Sequence, residues 1–137
     1  MKVNLSHHQN QEFKVQNESG VIAIIGCNEE KSIFTPMEMV LASLASCSSV
    51  DAIEIFEKKK FKVDHYSVNV EATRVENIPA IFDTITITYV VDGNIQLKNL
   101  RHVIDLCINK YCSVADILAP TAKITSILKF NGETIEI

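Results

Sequence analysis

The chain has 137 residues, of which 47% are apolar, and its 13 Lys and Arg against 17 Asp and Glu leave a net charge of −4. That length suits a single domain, residues 1–137, able to bury roughly 68–70% of its unfolded surface without a disulfide or metal staple. The mildly acidic, mixed-sign balance lacks the basic face of a nucleic-acid binder, so no nucleic-acid partner is expected.

From Met1 to Gln16 polar and apolar residues alternate, with no apolar stretch of the kind a signal peptide carries, which points to a cytoplasmic protein. Four cysteines in that compartment are expected to be mostly reduced, any disulfide being transient and chemical. Val3 and Leu5, then Phe13 and Val15, are spaced by two, and the apolar segment Val21 to Ile25 follows Gly20. This spacing predicts a meander of short strands with a turn at Asn17 to Gly20. Gly26 to Phe34 reads as a polar loop carrying Cys27.

Thr35, Pro36 and Glu38 then form a capping-box pattern, so a helix is expected to start here and to run to the lysines Lys58, Lys59 and Lys60, which complement its negative end. Between Glu38 and Asp51 no residue is charged. The helix is therefore apolar or small all round and expected to be buried on every side. Its uncharged run is shorter than the ~20 residues a bilayer requires, which makes it a core helix and excludes a membrane role. Cys47 lies in its middle among Ala42, Ser43, Ala45, Ser46, Ser48 and Ser49. Lys58 to Lys62 reads as a solvated helix end rather than a basic patch.

Val63 to Thr73 alternates, with Tyr66, Val68, Val70 and Ala72 on one face, and the β-branched run Ile81 to Val91 makes a second strand. Asp92-Gly93-Asn94 is expected to end that strand and cap a second helix carrying Leu100, Val103, Ile104, Cys107, Ile108 and Tyr111 on one stripe. Tyr111-Cys112-Ser113 interrupts this helix or begins a short new one, capped by Ser113 and ended by Pro120. Thr121 to Phe130 and Thr134 to Ile137 read as closing strands joined at Asn131-Gly132, a hairpin turn. Segregated antiparallel strands with two helices make an α+β domain. One small sheet covers only one side of the long helix, so a homodimer in which a second subunit covers the other side is the economical arrangement.

The cysteines differ in setting. Cys107 belongs to an apolar stripe and reads as core, and Cys27 has no partner residues nearby. Cys47 sits away from a helix N-terminus, and Asp51 one turn later opposes its ionisation, so a nucleophilic role for it requires a cation from elsewhere in the fold. Cys112 lies at a helix break where a helix N-terminus can point at its sulfur and lower its pKa. His7 and His8 are adjacent, and His65 and His102 stand alone. That spacing argues against a zinc site, and no cofactor is expected. A Ser/His/Asp hydrolase has no nucleophile-elbow motif to support it.

Two segments taken together carry a resemblance. Pro36-Met37-Glu38-Met39-Val40-Leu41-Ala42 through Ala45-Ser46-Cys47, followed by Asp51, and Lys110-Tyr111-Cys112-Ser113-Val114 resemble the two cysteine motifs of the OsmC/organic hydroperoxide resistance family. The element order between them is similar too, so the resemblance covers essentially the whole chain. It implies an intertwined α+β homodimer, with antiparallel sheets around two central helices. It also implies thiol peroxidase chemistry, in which Cys47 attacks the O–O bond of an organic hydroperoxide and Cys112 resolves the resulting sulfenic acid to a disulfide. A dithiol or dihydrolipoyl-type reductant restores both, Glu38 belongs to the site, and an apolar pocket favours alkyl hydroperoxides.

Peroxidases of that family pair an N-terminal arginine with a glutamate near the start of the central helix. Here no arginine precedes Cys47, where only Lys2, Lys14 and Lys31 are cationic, so Arg74 or Arg101 would have to reach the site. Lysine lacks the planar fork that holds a carboxylate and a thiolate together. The Pro-Met-Glu form is similar to the OsmC-like branch. The alternative to an enzyme is thus a non-enzymatic OsmC-like dimer that binds a small apolar or electrophilic ligand at the dimer interface, with Cys47 buried and far from Cys112.

Overall fold

In the computed structural model, which describes all 137 residues, the chain divides into an N-terminal unit, Met1–Val40, and a C-terminal unit, Leu41–Ile137. The first holds the expected meander, β1 (Val3–Gln9), β2 (Gln11–Asn17) and β3 (Ile22–Cys27), paired antiparallel in chain order. Asn17 closes the β2–β3 turn by accepting the amides of Ser19 and Val21 on its side chain at 2.9 and 3.0 Å. Strand β3 runs further than the sequence suggests, taking in Gly26 and Cys27, because Gly26 lets the β2 backbone come close: a Cβ there would lie 2.1 Å from the Gln11 carbonyl oxygen.

The central helix α1 (Pro36–Lys59) starts as its sequence dictates. The Thr35 amide donates to the Glu38 carboxylate at 2.8 Å and the Glu38 amide returns a bond to the Thr35 hydroxyl at 3.3 Å, a reciprocal capping box. The other end is a Schellman closure. Lys60 adopts φ 55°, its amide reaches the Glu57 carbonyl at 3.0 Å, and the Phe61 amide reaches the Phe56 carbonyl at 2.9 Å. The Phe56 and Phe61 rings, 6.5 Å apart, supply the apolar contact that accompanies this closure.

One expectation about α1 is corrected, and one is met on the side that a single chain covers. Only Leu44, Ser48, Ala52 and Phe56 are buried, one residue per turn along a single stripe, while Ala42, Ser46, Val50 and Ile53 stay exposed. The sheet packs against one side of the helix and nothing in one chain covers the other. Nor does length exclude a membrane span: at 24 residues α1 is long and apolar enough to cross one, because the helix extends well past its uncharged middle. Its role as a core helix rests instead on the buried stripe.

The C-terminal unit builds a four-stranded sheet, β4 (Lys62–Arg74), β5 (Phe82–Asn94), β6 (Lys123–Phe130) and β7 (Glu133–Glu136), in that order. Strand β5 is one of its two inner strands, burying Ile85, Ile87, Tyr89 and Val91 on one face. The β4–β5 and β6–β7 pairs are antiparallel, but β5 and β6 run parallel, which departs from the all-antiparallel expectation. The link between them is a crossover through three helical segments, and such a crossover returns the chain in the same direction. The Asn131-Gly132 hairpin forms as expected, with φ 49° and 86°.

Asp92-Gly93-Asn94 stays within β5 and caps nothing; α2 (Leu97–Leu106) starts from Gln96 without a side-chain cap. Gly93 is retained in the strand by close approach, since a Cβ would lie 2.2 Å from the Lys62 carbonyl oxygen. Helix α2 does not simply run on to Tyr111. It widens into one π turn over Cys107–Tyr111, in which the Cys112 amide donates to the Cys107 carbonyl at 2.9 Å. The extra residue rotates the stripe, so Leu100, Val103, Ile104, Cys107 and Ile108 are buried as predicted while Tyr111 turns outward, 45% exposed with Lys110 over its ring. A third helix, α3 (Ser113–Leu118), follows at once, so of the two readings of Tyr111-Cys112-Ser113 the short new helix is the one that forms.

Candidate functional site

The site is made where the middle of α1 meets the junction of the π turn and α3. Cys112, not Ser113, is the N-cap of α3: its sulfur accepts the Ala115 amide at 3.4 Å. The helix N-terminus therefore does point at the thiol, as the sequence suggested, but the expected fall in pKa does not follow. Burial outweighs the Ala115 amide, and the neighbouring Cys47 adds to the rise, so the pKa is pushed up to about 11. The Cys112 thiol donates to the Leu44 carbonyl, 4.0 Å from the sulfur. Cys112 is only 3% exposed, whereas Cys47 is half-buried and open on one side.

The fold thus brings Cys47 and Cys112 near enough, from distant parts of the sequence, for Cys47 to raise the Cys112 pKa. None of the four cysteines forms a disulfide. Cys107, one π turn before Cys112, is buried in the core, and burial together with the Asp51 carboxylate and Cys112 pushes its pKa up to about 12. Asp51 thus acts on Cys107, a residue the sequence did not connect with it.

Beside Cys47 lies a part-buried hydroxyl cluster that the sequence did not single out. Ser48 and Ser49 both donate to the Ala45 carbonyl, at 3.1 and 2.6 Å, and the Tyr66 hydroxyl donates to Ser49 at 3.1 Å. Burial pushes the Tyr66 pKa up to about 12. Tyr89, fully buried on β5, brings its hydroxyl beside Ser48, yet no acceptor meets it in hydrogen-bonding geometry. The Ser48 hydroxyl is close enough to soften, not to reverse, the rise that burial imposes on the Tyr89 phenol. In the sequence Tyr89 is one more alternating strand residue, which is why periodicity alone passes over it.

Neither arginine of the C-terminal unit serves the thiols. The Arg74 side chain donates to the Ala80 carbonyl at 2.6 Å and Arg101 to the Glu136 carbonyl at 3.0 Å. Glu38 is exposed in the first turn of α1, where hydrogen bonds from the Thr35 amide and hydroxyl, and then the charge of Lys31, hold its carboxyl below the usual range. A cavity of about 310 Å³ opens beside Cys112, and its lining of Asn109, Lys110, Ser113 and Asp116 is polar rather than apolar. The apolar cavity of this unit, about 330 Å³ between Ile53, Phe56, Phe61, Val63 and Tyr66, contains no cysteine. A larger cavity of about 810 Å³ belongs to the N-terminal unit, lined by Gln9, Glu12, Cys27, Asn28, Glu29 and Glu30. No group of three or more His, Cys, Asp or Glu side chains is arranged to hold a metal ion.

Residues 29–126 match the profile of the OsmC-like protein family, a span that takes in both cysteines of the pair. The chain belongs to the OsmC family. Protein YhfA of Escherichia coli K12 is 32% identical over 115 residues, covering 82% of this chain and 85% of that protein. A hypothetical protein from Aquifex aeolicus VF5, solved by crystallography, is 30% identical with a TM-score of 0.81, covering 95% of this chain and 96% of that one. The organic hydroperoxide resistance protein OhrB of Bacillus subtilis shares the fold at a TM-score of 0.63 and 13% identity, over 94% of this chain and 98% of that one. Proteins of this family are soluble and generally homodimeric, which accords with α1 as a core helix.

Proposed function

We propose that this protein is a thiol-dependent peroxidase that reduces organic hydroperoxides in the cytoplasm, with Cys47 as the peroxidatic and Cys112 as the resolving residue. The observation that carries this reading is the nearness of the two thiols, one half-buried and the other buried and holding its proton. A packed, unreactive pair of cysteines has no need of that arrangement, and the alternative of a ligand-binding dimer expects the two sulfurs apart.

The chemistry follows from the difference between the two sulfurs. The Cys47 thiolate attacks the distal oxygen of ROOH; the O–O bond breaks, Cys47 becomes a sulfenic acid and RO⁻ leaves to take up a proton as ROH. Cys112, kept protonated by burial, is inert to the peroxide during this step. It then attacks the sulfenic sulfur, forming the Cys47–Cys112 disulfide, while its proton leaves with the sulfenic hydroxyl as water. A dithiol reductant, of the lipoyl type or similar, attacks the disulfide, leaves as its own cyclic disulfide and restores both thiols.

Glu38 is the remaining member of the proposed site, and we take residues 1–137 as one OsmC-like domain, of which the family match covers residues 29–126. We place the missing wall of the substrate site on a second copy of the chain, whose α1 has the same exposed apolar face. The engagement of Arg74 and Arg101 elsewhere favours the second reading, a non-enzymatic dimer that takes up an apolar or electrophilic ligand. One experiment separates them. Reduced protein treated with one equivalent of cumene hydroperoxide, or of hydrogen peroxide, is quenched and its disulfides mapped by non-reducing peptide mass spectrometry. Rapid Cys47–Cys112 linkage, faster with the organic oxidant and lost in Cys47→Ser and Cys112→Ser, is the expected result. Four free thiols after minutes would overturn the peroxidase reading.

A further inference from the structure

The Cys112 sulfur holds two elements at once. As a donor it bonds to the Leu44 carbonyl of α1, 4.0 Å away, and as an acceptor it takes the Ala115 amide of α3 at 3.4 Å, with the Val114 amide turned to it as well. The helix that it caps has little else to hold it. At six residues α3 is far short of the roughly 12–15 at which a helix is even marginal in isolation. Of its side chains only Ala115 is buried, while Ser113, Asp116 and Ile117 face solvent. Its first amides have no partner within the helix, and the side-chain acceptor they find is Cys112.

We propose that α3 is a redox-sensitive switch, held as a helix by the Cys112 thiol and released when that sulfur is drawn into a disulfide with Cys47. The inference rests on the peroxidase reading and adds to it a change of structure that the chemistry brings about. When the sulfenic acid of Cys47 is resolved, the Cys112 sulfur bonds to the Cys47 sulfur and its proton leaves with the sulfenic hydroxyl as water, so the bond to the Leu44 carbonyl is lost. A covalent S–S bond is much shorter than any approach of two unbonded sulfurs, and here its other end is fixed to α1. The Cys112 sulfur is therefore pulled toward α1, and a bond to Ala115 that is already 3.4 Å long has little length to give. The first amides of α3 lose their acceptor, and a helix this short unwinds. Ser113 and Asp116 ride on α3 and line the cavity of about 310 Å³ beside Cys112, so the dithiol and the disulfide present different surfaces there. Reduction returns the sulfur to the amides, and the helix re-forms.

The test is amide hydrogen exchange, read by mass spectrometry on peptides spanning residues 113–119 of the full chain in its two redox states. In the disulfide form made with one equivalent of cumene hydroperoxide, exchange there is expected to be about fivefold or more faster than in the reduced protein, the factor that loss of a helix cap gives. Dithiothreitol is expected to restore the slow rate, and peptides of β5 to keep theirs throughout. Cys112→Ser retains an N-cap acceptor but forms no disulfide, so its α3 is expected to exchange slowly before and after hydroperoxide. Equal exchange in the two redox states of the wild-type chain would overturn the switch, because α3 would then travel with the sulfur as a rigid body, and would leave the peroxidase reading standing. An acceleration that persists in Cys112→Ser would overturn it too, tracing the change to Cys47 alone. If hydroperoxide forms no disulfide even in the wild-type chain, the peroxidase reading fails. The pair is then joined with diamide, which takes up the two electrons and two protons of the thiols, and exchange in α3 still decides the switch. Failure of diamide to join the two sulfurs overturns both.

Discussion

The Ala115 amide donates to the sulfur of Cys112 at 3.4 Å, so the thiol whose pKa Cys47 raises is also the N-cap of α3. Structure and proposed chemistry are thereby joined in one atom, and substitutions at this position separate them. Serine is a favoured N-cap, alanine is not, and loss of a cap costs about 1 kcal/mol. Cys112→Ser is expected to keep the urea midpoint near that of the parent and Cys112→Ala to lower it. Both are expected to abolish the peroxide-induced disulfide. Equal stability of the two variants would show that the sulfur does not support α3.

The buried thiols predict a loss of stability in alkali. Folding raises Cys107 to about 12 and Cys112 to about 11 from an ordinary value of 9.0. A group raised by folding binds its proton more tightly in the native state, so its contribution is complete below pH 9.0 and is lost as pH rises through the native value. Each pH unit in that window weakens the folding equilibrium by up to about tenfold per thiol. Urea midpoints measured on the reduced protein are expected to hold level to pH 9.0 and to fall steadily toward pH 11. In Cys107→Ala, which starts lower because of the small cavity, the slope is expected to be shallower. A slope independent of Cys107 would contradict its burial as a protonated thiol.

Much of this was legible in the sequence, because the local signals there have strong physical causes. The capping box at Thr35 and Glu38, the β-branched run of β5 and the Asn131-Gly132 turn each specify one backbone geometry, and each forms. What the sequence could not carry was whatever depends on the competition between burial and local bonding. Cys112 has the amide donors that should lower its pKa, yet burial decides the outcome. The π turn was invisible because one inserted residue leaves the buried stripe intact as far as Ile108 and shows only in the outward turn of Tyr111. Gly93 reads as a turn residue by composition, while its position in β5 is set by a neighbouring backbone that no periodicity reveals.

Glu38 has a capping role that any catalytic role must be separated from. Its carboxylate accepts the Thr35 amide at 2.8 Å and the Thr35 hydroxyl at 2.9 Å, and these bonds lower its pKa. Its support of α1 is therefore present above the ordinary carboxyl range and lost as pH falls through the lowered native value. Glutamine keeps an acceptor for the Thr35 amide but removes the charge. Glu38→Gln is expected to retain the wild-type far-UV circular dichroism at pH 7, and to slow Cys47–Cys112 formation by cumene hydroperoxide on the order of tenfold if the carboxylate assists proton transfer at the site. A folded Glu38→Gln with an unchanged oxidation rate would confine Glu38 to capping.

The exposed side of α1 makes the final prediction. Val50 is 67% exposed in the single chain, and Ala42, Ser46 and Ile53 lie on the same side of the helix, opposite the stripe of Leu44, Ser48, Ala52 and Phe56. Small residues beside two branched aliphatics let a second helix approach closely, and the apolar area gains by leaving water. A charge at Val50 would have to be desolvated in such an interface, whereas in a monomer it would remain in solvent. Wild-type protein is therefore expected to sediment as a dimer with a concentration-dependent urea midpoint. Val50→Asp is expected to sediment as a monomer with a lower midpoint that no longer depends on concentration, and to lose activity toward cumene hydroperoxide, since the proposed site takes one wall from the partner. A Val50→Asp protein that is still dimeric would place the interface elsewhere, and a monomeric but fully active one would show that each chain carries a complete site.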